Sequence, residues 1–313
     1  MKCVGAFVPE KTGHVPMLNS TAVNTVIKDS FMQHPVKLDD LFANYDVIFS
    51  DVWGVLHNGI DAFPPAAAAL KRAREAGVKV VLITNSPRPY PGVAAQLEMM
   101  GITNESYDQI VTSGDVTRDL IAAGPRKIFH LGPDRELAIY DGLDVELVEE
   151  YEASAVVCTG LVDDEIEKPE DYAEMLQRFR SRNLPFICAN PDIVVERGTR
   201  LIWCAGALAR DYTQLGGRTL IAGKPHNPIY VAAMQAAEAL TGKPVDKARI
   251  LAIGDGMLTD VKGAQHYGVD VLYISGGIHA ADYVAKGEVD HDKLVAFLGR
   301  HGEAPVATMH ALV

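Results

Sequence analysis

Short apolar runs rich in β-branched residues alternate along the chain with stretches of helical pattern. Strands are predicted over 45–50 and 78–83, and a short third strand over 109–112. Helices are predicted over 64–76 and 89–100, each beginning at prolines and ending before a glycine. Strands that are apolar at almost every position predict a parallel sheet covered by helices on both faces.

The same alternation returns near the other end of the chain. Strands are predicted over 219–222, 249–253 and 270–274, with helices over 228–240 and 259–267. Parallel strands connected by helices form one continuous sheet, so this half is predicted to complete the sheet begun by the first half.

A further set of strands and helices lies between these halves. They are predicted at 127–131, 155–158, 169–182, 185–189 and 204–215. Because the flanking halves need each other to complete one site, this segment is better explained as an inserted domain. The predicted fold is α/β, with a Rossmann-like, doubly wound core over 41–113 and 218–313, an inserted α/β cap over 114–217 and an N-terminal extension over 1–40.

The composition and charge of the chain argue against some classes of protein. The chain has 313 residues and a formal net charge of −12, which argues against a duplex nucleic-acid binder but not against a small phosphorylated ligand. No apolar run approaches the roughly 20 residues of a membrane span, and the first 33 residues lack a signal-peptide pattern. Four cysteines without C-x-x-C spacing indicate reduced thiols, so a cytoplasmic location is expected.

Polar residues follow the predicted strands at the points where they end. Asp51, Thr84, Lys224 and Asp255 all lie on or just after strand carboxyl ends. Ligands of open parallel sheets bind beyond those ends, so these side chains are expected to converge although they are distant in sequence.

The residue types in this group suit phosphoryl chemistry. Asp51 can act as a nucleophile, and Asp255 and Asp260 place two more carboxylates beside it. Three anions in one cleft repel unless a cation binds between them, and carboxylate oxygens suit Mg²⁺. Thr84, Asn85 and Lys224 offer a hydroxyl, a backbone N–H and a positive charge to phosphate oxygens.

Four motifs stand in order along the chain: Asp51-Val-Trp-Gly-Val55, Thr84-Asn-Ser86, Gly223-Lys-Pro225 and Gly254-Asp-Gly-Met-Leu-Thr-Asp260. With them the chain resembles the haloacid dehalogenase (HAD) superfamily, which is dominated by Mg²⁺-dependent phosphatases. The cap phrases Gly160-Leu-Val-Asp-Asp164, Ala189-Asn-Pro-Asp192 and Ala205-Gly-Ala-Leu208 are similar to those of its subclass IIA, the NagD-like and p-nitrophenylphosphatase-like enzymes. That resemblance implies a C2-type cap and a possible homodimer.

The resemblance also implies roles for individual residues. Asp51 would be the nucleophile and a Mg²⁺ ligand, the Trp53 carbonyl and Asp255 would complete the protein ligands, and Asp260 would support the metal. The phosphoryl group would be held by Thr84, Asn85 and Lys224, and Asn190 and Asp192 in the cap would face the substrate. Ser86 and Arg88 are further candidates for substrate contacts, and Arg88 could meet a substrate anion.

Trp53 departs from the family pattern. The family's first motif normally has a second aspartate there, which protonates the leaving group and then activates water. An indole N–H can donate a hydrogen bond but cannot shuttle a proton at neutral pH. His57, four residues on, could substitute, and His226 and His279 lie in loops that could reach the cleft.

The sequence is therefore compatible with several functions. The leading hypothesis is a Mg²⁺-dependent phosphohydrolase of a small phosphorylated metabolite, weakened by Trp53. The runner-up is a protein that binds Mg²⁺ and a phosphorylated ligand with little turnover. Carbon–halogen cleavage is a third, although the retained Asp255 and Asp260 argue against it, and a phosphonate hydrolase is a fourth. The substrate itself cannot be derived from these motifs.

Overall fold

The structure is a computed structural model that describes residue 33 and residues 35–285, 288–302 and 304–313. Most of the predicted N-terminal extension, 1–40, lies outside the described residues. The strands within them are β1 (Val47–Ser50), β2 (Lys79–Thr84), β3 (Gln109–Thr112), β4 (Lys127–Leu131), β5 (Glu146–Leu147), β6 (Ala155–Cys158), β7 (Phe186–Cys188), β8 (Val194–Arg197), β9 (Arg200–Trp203), β10 (Thr219–Ile221), β11 (Ile250–Gly254), β12 (Asp270–Ile274), β13 (Val284–Ala285), β14 (Glu288–Val289) and β15 (Ala307–Met309).

Helices cover the strands in alternation along the described chain. They are α1 (Pro64–Glu75), α2 (Tyr90–Met99), α3 (Ser113–Ala122), α4 (Ala173–Ser181), α5 (Ala205–Gln214), α6 (Asn227–Thr241), α7 (Lys262–Tyr267) and α8 (His291–His301). In α1 the buried residues Ala66, Ala69, Leu70 and Ala73 recur at helical spacing. That stripe explains why an alanine-rich segment folds as a helix against the sheet.

Two parallel sheets organise the molecule. The larger has the strand order β15-β12-β11-β1-β2-β3, and the second has the order β10-β7-β6-β4-β5. Strands β8 and β9 pair antiparallel as a separate hairpin. The predicted α/β class with a doubly wound parallel sheet is confirmed.

The larger sheet is buried on both faces, as its apolar strands predict. Neighbouring residues of one strand enter different cores: Ile48 packs on one face with Val80, and Phe49 packs on the other with Val81. Polar side chains therefore have little room along these strands, and they gather where the strands end.

Strand β10 belongs to the second sheet, which corrects the prediction that residues 219–222 contribute a strand to the core. Leu220 pairs with Ile187 of β7. A β-branched run predicts a strand but not the sheet that it joins, because tertiary packing makes that choice. We therefore propose that the inserted domain, predicted to end at 217, extends to Ile221.

The described end of the predicted extension packs on the core. Gln33 bridges to Ala307, and Leu38 and Leu41 of the 3₁₀-helix Leu38–Asn44 are buried in the core around α1. The backbone N–H of Leu38 also donates to the carbonyl of Val313, at 2.9 Å. Leu38 and Leu41 are three residues apart and face the core together. Residues before the predicted boundary at 40 therefore pack with the core.

Two further expectations concern the described residues alone. No helix among them is long and apolar enough to cross a membrane. Cys158, Cys188 and Cys204 are buried and free, whereas Cys3 lies outside the described residues.

Candidate active site

Three carboxylates meet at the carboxyl edge of the larger sheet. Strands β1 and β11 are neighbours, and the backbone N–H of Asp51 continues their pairing by donating to the Ile253 carbonyl at 2.8 Å. Asp51, Asp255 and Asp260 each offer an oxygen, and these oxygens lie within 4.8 Å of one another. All three residues are buried. The structure thus brings together residues that are 204 positions apart, as the strand ends predicted.

Lys224 lies between two of these carboxylates. Its Nζ is 2.7 Å from Asp51 Oδ1 and 2.7 Å from Asp260 Oδ1, and it also donates to the Ile83 carbonyl at 3.2 Å. Only 3% of Lys224 is exposed, and burial alone would lower its pKa, but the Asp260 and Asp51 carboxylates raise it. The ammonium group is therefore fully charged and offsets part of the repulsion among the carboxylates.

The pKa values of Asp51 and Asp255 are both raised. Burial, followed by the Asp260 carboxylate, raises the pKa of Asp51 well above its usual range, while Lys224 opposes this. Burial and Asp260 likewise raise the pKa of Asp255 to about 7. Buried carboxylates with raised pKa values are those that a divalent cation would stabilise in their ionised form.

Glycines let the main chain close around Asp255. A Cβ at Gly54 or at Gly277 would overlap its carboxylate, and Gly54 also has φ of +82°, which favours glycine. The backbone N–H of Ile278 donates to Asp255 Oδ2 at 2.8 Å. The side chain is therefore fixed from two loops, the one after β1 and the one after β12.

Both carboxylate oxygens of Asp260 accept hydrogen bonds from the protein. Oδ1 accepts from Lys224, and Oδ2 accepts from the backbone N–H of Gly256 at 3.0 Å. This pattern suits the supporting role predicted for Asp260, which stays a prediction, better than direct ligation of a metal.

Asn85 connects three parts of the site. Its Oδ1 accepts from the Lys224 backbone N–H at 2.7 Å, and its Nδ2 donates to the Lys224 carbonyl at 3.1 Å and to Asp192 Oδ1 at 2.9 Å. Thr84 precedes it, and its Oγ1 accepts from the Ser86 backbone N–H at 3.2 Å. The Asn85 side chain thus positions the lysine, which leaves its backbone N–H as the predicted phosphate donor.

Two cavities adjoin this group. One, of about 270 Å³, contains Asp51, Asp255, Asp260 and Asn85 in its lining; we call it the carboxylate cavity. The other, of about 310 Å³, contains Ser86, Arg88 and Asn190; we call it the outer cavity. Both are lined by Trp53, Thr84, Asp192 and Val195.

The predicted substrate residues of the outer cavity have protein partners. Arg88 donates from Nε to Glu136 at 3.2 Å and from one terminal nitrogen to Gln96 at 2.9 Å. Asn190 Oδ1 accepts from the Asp192 backbone N–H at 3.1 Å. Burial raises the pKa of Asp192, an effect that Lys224 opposes. Contact of these residues with a substrate stays a prediction.

Trp53 is bound to the cap. Its indole N–H donates to the backbone carbonyl of Glu196 in β8. The ring lies against Gly59, where a Cβ would overlap it, and meets the His57 ring edge-on at 5.0 Å between centroids. The single hydrogen-bond donor of this side chain is therefore occupied by a main-chain acceptor.

The three histidines that could substitute for the missing aspartate lie at different places around the site. His57 lines the outer cavity, its Nδ1 accepts from the Gly59 backbone N–H at 2.9 Å, and burial lowers its pKa to about 4. His279 lines the carboxylate cavity, its Nε2 lies 3.3 Å from the Met257 backbone N–H, and burial lowers its pKa. His226 is absent from the described lining of both cavities. Both cavity histidines are therefore neutral at pH 7.

Several residues around the two cavities were not predicted from the sequence. Arg135 and Arg197 line the outer cavity and form ion pairs with Asp164 at 2.6 and 2.9 Å. Glu196 and Ile278 act through backbone atoms, which leave no residue-type signal. The Gly276-Gly277 pair, which follows a predicted strand, was the sequence feature that could have indicated the loop at Asp255.

Two family models and a solved structure match this chain. A model of the haloacid dehalogenase-like hydrolases matches residues 48–146, and a HAD-hydrolase-like model matches residues 221–299. The crystal structure of a hydrolase of the haloacid dehalogenase-like family from Brucella suis is 68% identical, with a TM-score of 0.82, and covers 89% of this chain and 100% of that one.

More distant proteins are similar in structure or in sequence. A p-nitrophenyl phosphatase from Archaeoglobus fulgidus has a TM-score of 0.64 at 21% identity, covering 86% of this chain and 97% of that one. Haloacid dehalogenase-like hydrolase domain-containing protein 2 from Bos taurus is 28% identical over 75% of this chain and 86% of its own length. The chain belongs to the haloacid dehalogenase-like hydrolase family.

Proposed function

We propose that the protein is a Mg²⁺-dependent phosphohydrolase that acts on a small phosphorylated metabolite through an aspartyl-phosphate intermediate on Asp51. The observation that carries the proposal is the meeting of three buried carboxylates within 4.8 Å, with the Lys224 ammonium 2.7 Å from two of them. The nucleophile and the candidate cation site thus line one cavity, and the Lys224 ammonium lies directly behind them, bound to Asp51 and Asp260.

The residues present fit a Mg²⁺ ion. Asp51 and Asp255 supply hard carboxylate oxygens, and the Trp53 carbonyl follows Asp51 by two residues, so these groups would hold the ion. When bound, Mg²⁺ neutralises charge on the phosphoryl oxygens. Asp260 would hold Lys224 and the Gly256 loop in place.

The first chemical step uses Asp51 as the nucleophile. One of its carboxylate oxygens attacks phosphorus, the bond between phosphorus and the leaving oxygen breaks, and the bonding electrons leave with that oxygen. We expect the positive charge of Lys224 to stabilise the negative charge of the phosphoryl group during this transfer. Water then attacks phosphorus, and the bond between phosphorus and the Asp51 oxygen breaks with its electrons returning to the carboxylate. The protons of the water leave with inorganic phosphate.

Trp53 limits both steps, because the family's proton-transferring aspartate is replaced by an indole whose N–H is bound to Glu196. Leaving groups that depart as stable anions need little protonation, so aryl phosphates are the better substrates. Position 53 also has no carboxylate to activate the attacking water. Hydrolysis of the aspartyl phosphate is therefore expected to be slow.

Removal of the metal is expected to stop turnover. Treatment with EDTA should lower the hydrolysis of p-nitrophenyl phosphate by about 10²-fold or more, and added Mg²⁺ should restore it, because the carboxylates would otherwise repel the phosphoryl group. Circular dichroism before and after chelation controls for unfolding. Full activity in EDTA would contradict the proposal, and activity on a haloacid without metal would support carbon–halogen cleavage instead.

Restoring the aspartate should change the dependence on the leaving group. In Trp53→Asp, kcat for an alkyl phosphate should rise by about 10²- to 10⁴-fold, with a much smaller change for p-nitrophenyl phosphate, because a carboxyl group can protonate a poor leaving group. The measurement is kcat for both substrates in both proteins. A wild type that is silent in Mg²⁺ beside an active Trp53→Asp would favour the binding protein. An equal change on both substrates would contradict the explanation of Trp53.

The identity of the metabolite, a homodimer and a cytoplasmic location stay predictions. A panel of sugar phosphates, nucleotides, phosphoglycolate and vitamin phosphates, assayed by release of inorganic phosphate, addresses the first of them.

A further inference from the structure

We propose that Trp53 is a positioning residue that latches the β8–β9 hairpin, residues 194–203, over the active site. The position that serves proton transfer elsewhere in the family would here serve closure of the cap. The latch is a feature of the folded protein and is expected with or without turnover, whereas its effect on KM rests on the proposed hydrolysis.

The latch is a hydrogen bond between distant parts of the chain. Trp53 lies two residues after Asp51, at the edge of the larger sheet, and donates to Glu196, which is 143 positions away in the hairpin. The acceptor is a main-chain carbonyl, so the contact fixes the backbone of β8 rather than one side chain.

A second contact lies beside the first. The backbone N–H of Gly198, at the hairpin turn, donates to the Asn58 carbonyl at 3.1 Å. A Cβ at Gly198 would overlap the end of the Ile60 side chain, so the turn lies directly on the 58–60 loop. The core loop from Trp53 to Ile60 therefore binds the hairpin at two backbone positions, with Gly59 leaving room for the indole ring.

The hairpin forms walls of both cavities. Val194, Val195 and Glu196 line the carboxylate cavity, and Val195, Arg197, Ile202 and Trp203 line the outer cavity. Val194 pairs with Trp203 and Val195 with Ile202, so the two strands are joined as one hairpin. The Trp53 contact therefore sets the shape of the space that receives a substrate.

Aspartate and tryptophan at position 53 each serve only one of the two roles. An ionised aspartate has no proton to donate to a carbonyl, and a protonated one gives its proton to the leaving group, so an aspartate cannot keep this contact while it transfers protons. Tryptophan makes the contact but cannot transfer protons. Trp53→Asp should accordingly raise KM even where it raises kcat.

Hydrogen exchange of the full-length protein tests the latch. In Trp53→Phe, which keeps an aromatic ring and loses the N–H, amides of residues 194–203 should exchange about two- to tenfold faster than in the wild type. Amides of β4 and β6 in the cap sheet are the internal control and should not change. KM for p-nitrophenyl phosphate should rise by more than kcat falls.

Unchanged exchange of the hairpin in a folded Trp53→Phe would overturn the proposal. Faster exchange by the same factor throughout the cap sheet would also overturn it, because that pattern reports general destabilisation.

A second measurement needs no change at position 53. The chain has two tryptophans, so Trp203→Phe leaves Trp53 as the sole indole. Acrylamide should quench its fluorescence several-fold less in the native protein than in the urea-unfolded chain. Equal quenching in both states would show that the indole is not bound in solution and would refute the latch.

Discussion

Asp51→Asn is expected to lower kcat for p-nitrophenyl phosphate by about 10⁴-fold or more, because an amide oxygen cannot form the aspartyl phosphate. The residual rate would come from binding and from the charge of Lys224 alone. The measurement is p-nitrophenol release under saturating Mg²⁺, followed long enough to resolve a rate of this size.

The same substitution should leave the fold intact. Asp51 is one of three carboxylates that crowd together, and burial and Asp260 raise its pKa, so a neutral amide relieves repulsion. The melting temperature should therefore be unchanged or higher. Asp61→Asn is the matched control, since Asp61 is exposed and lines neither described cavity, and its activity should stay within about twofold. Retention of a tenth of the activity in Asp51→Asn would contradict the role of Asp51.

Lys224→Met is expected to damage both stability and activity. Lys224 forms ion pairs with the buried carboxylates of Asp51 and Asp260, and removing the cation leaves two anions without compensation. Breaking a buried pair from one side typically costs about 3–5 kcal/mol, so the free energy of unfolding in urea should fall by that order when Mg²⁺ is absent. Turnover should be lost as well, because no ammonium group would face the phosphoryl oxygens.

The double variant Lys224→Met with Asp51→Asn separates charge from packing. If repulsion among unpaired carboxylates causes the loss, the second substitution should restore part of the stability, which a double-mutant cycle measures. A Lys224→Met protein that unfolds at the same urea concentration as the wild type would contradict the assigned ion pairs.

The sequence predicted the part of the site that depends on strand ends. An apolar strand that is followed at once by a polar residue places that residue at the carboxyl edge of a parallel sheet, wherever it lies in the chain. Asp51 and Asp255 follow neighbouring strands for this reason, and their proximity did not require knowledge of any contact.

Contacts between the cap and the core could not be predicted in the same way. The partner of Trp53 is the carbonyl of Glu196, an atom that every residue carries. Strand β10 shows the same limit, since Thr219–Ile221 has the composition of a strand but takes its place in the sheet from tertiary packing. Arg88 was expected to meet a substrate anion, and its pairing with Glu136 depends on how the cap is positioned.

In the proposed mechanism Asp51 receives the phosphoryl group, which rapid acid quenching followed by mass spectrometry of the peptide that contains Asp51 can detect. With p-nitrophenyl phosphate and Mg²⁺, we predict one phosphoryl group on Asp51, which accumulates because Trp53 slows its hydrolysis, and none in the presence of EDTA. A phosphoryl group on another residue, or p-nitrophenol released during turnover with Asp51 unmodified at every quench time, would contradict the account.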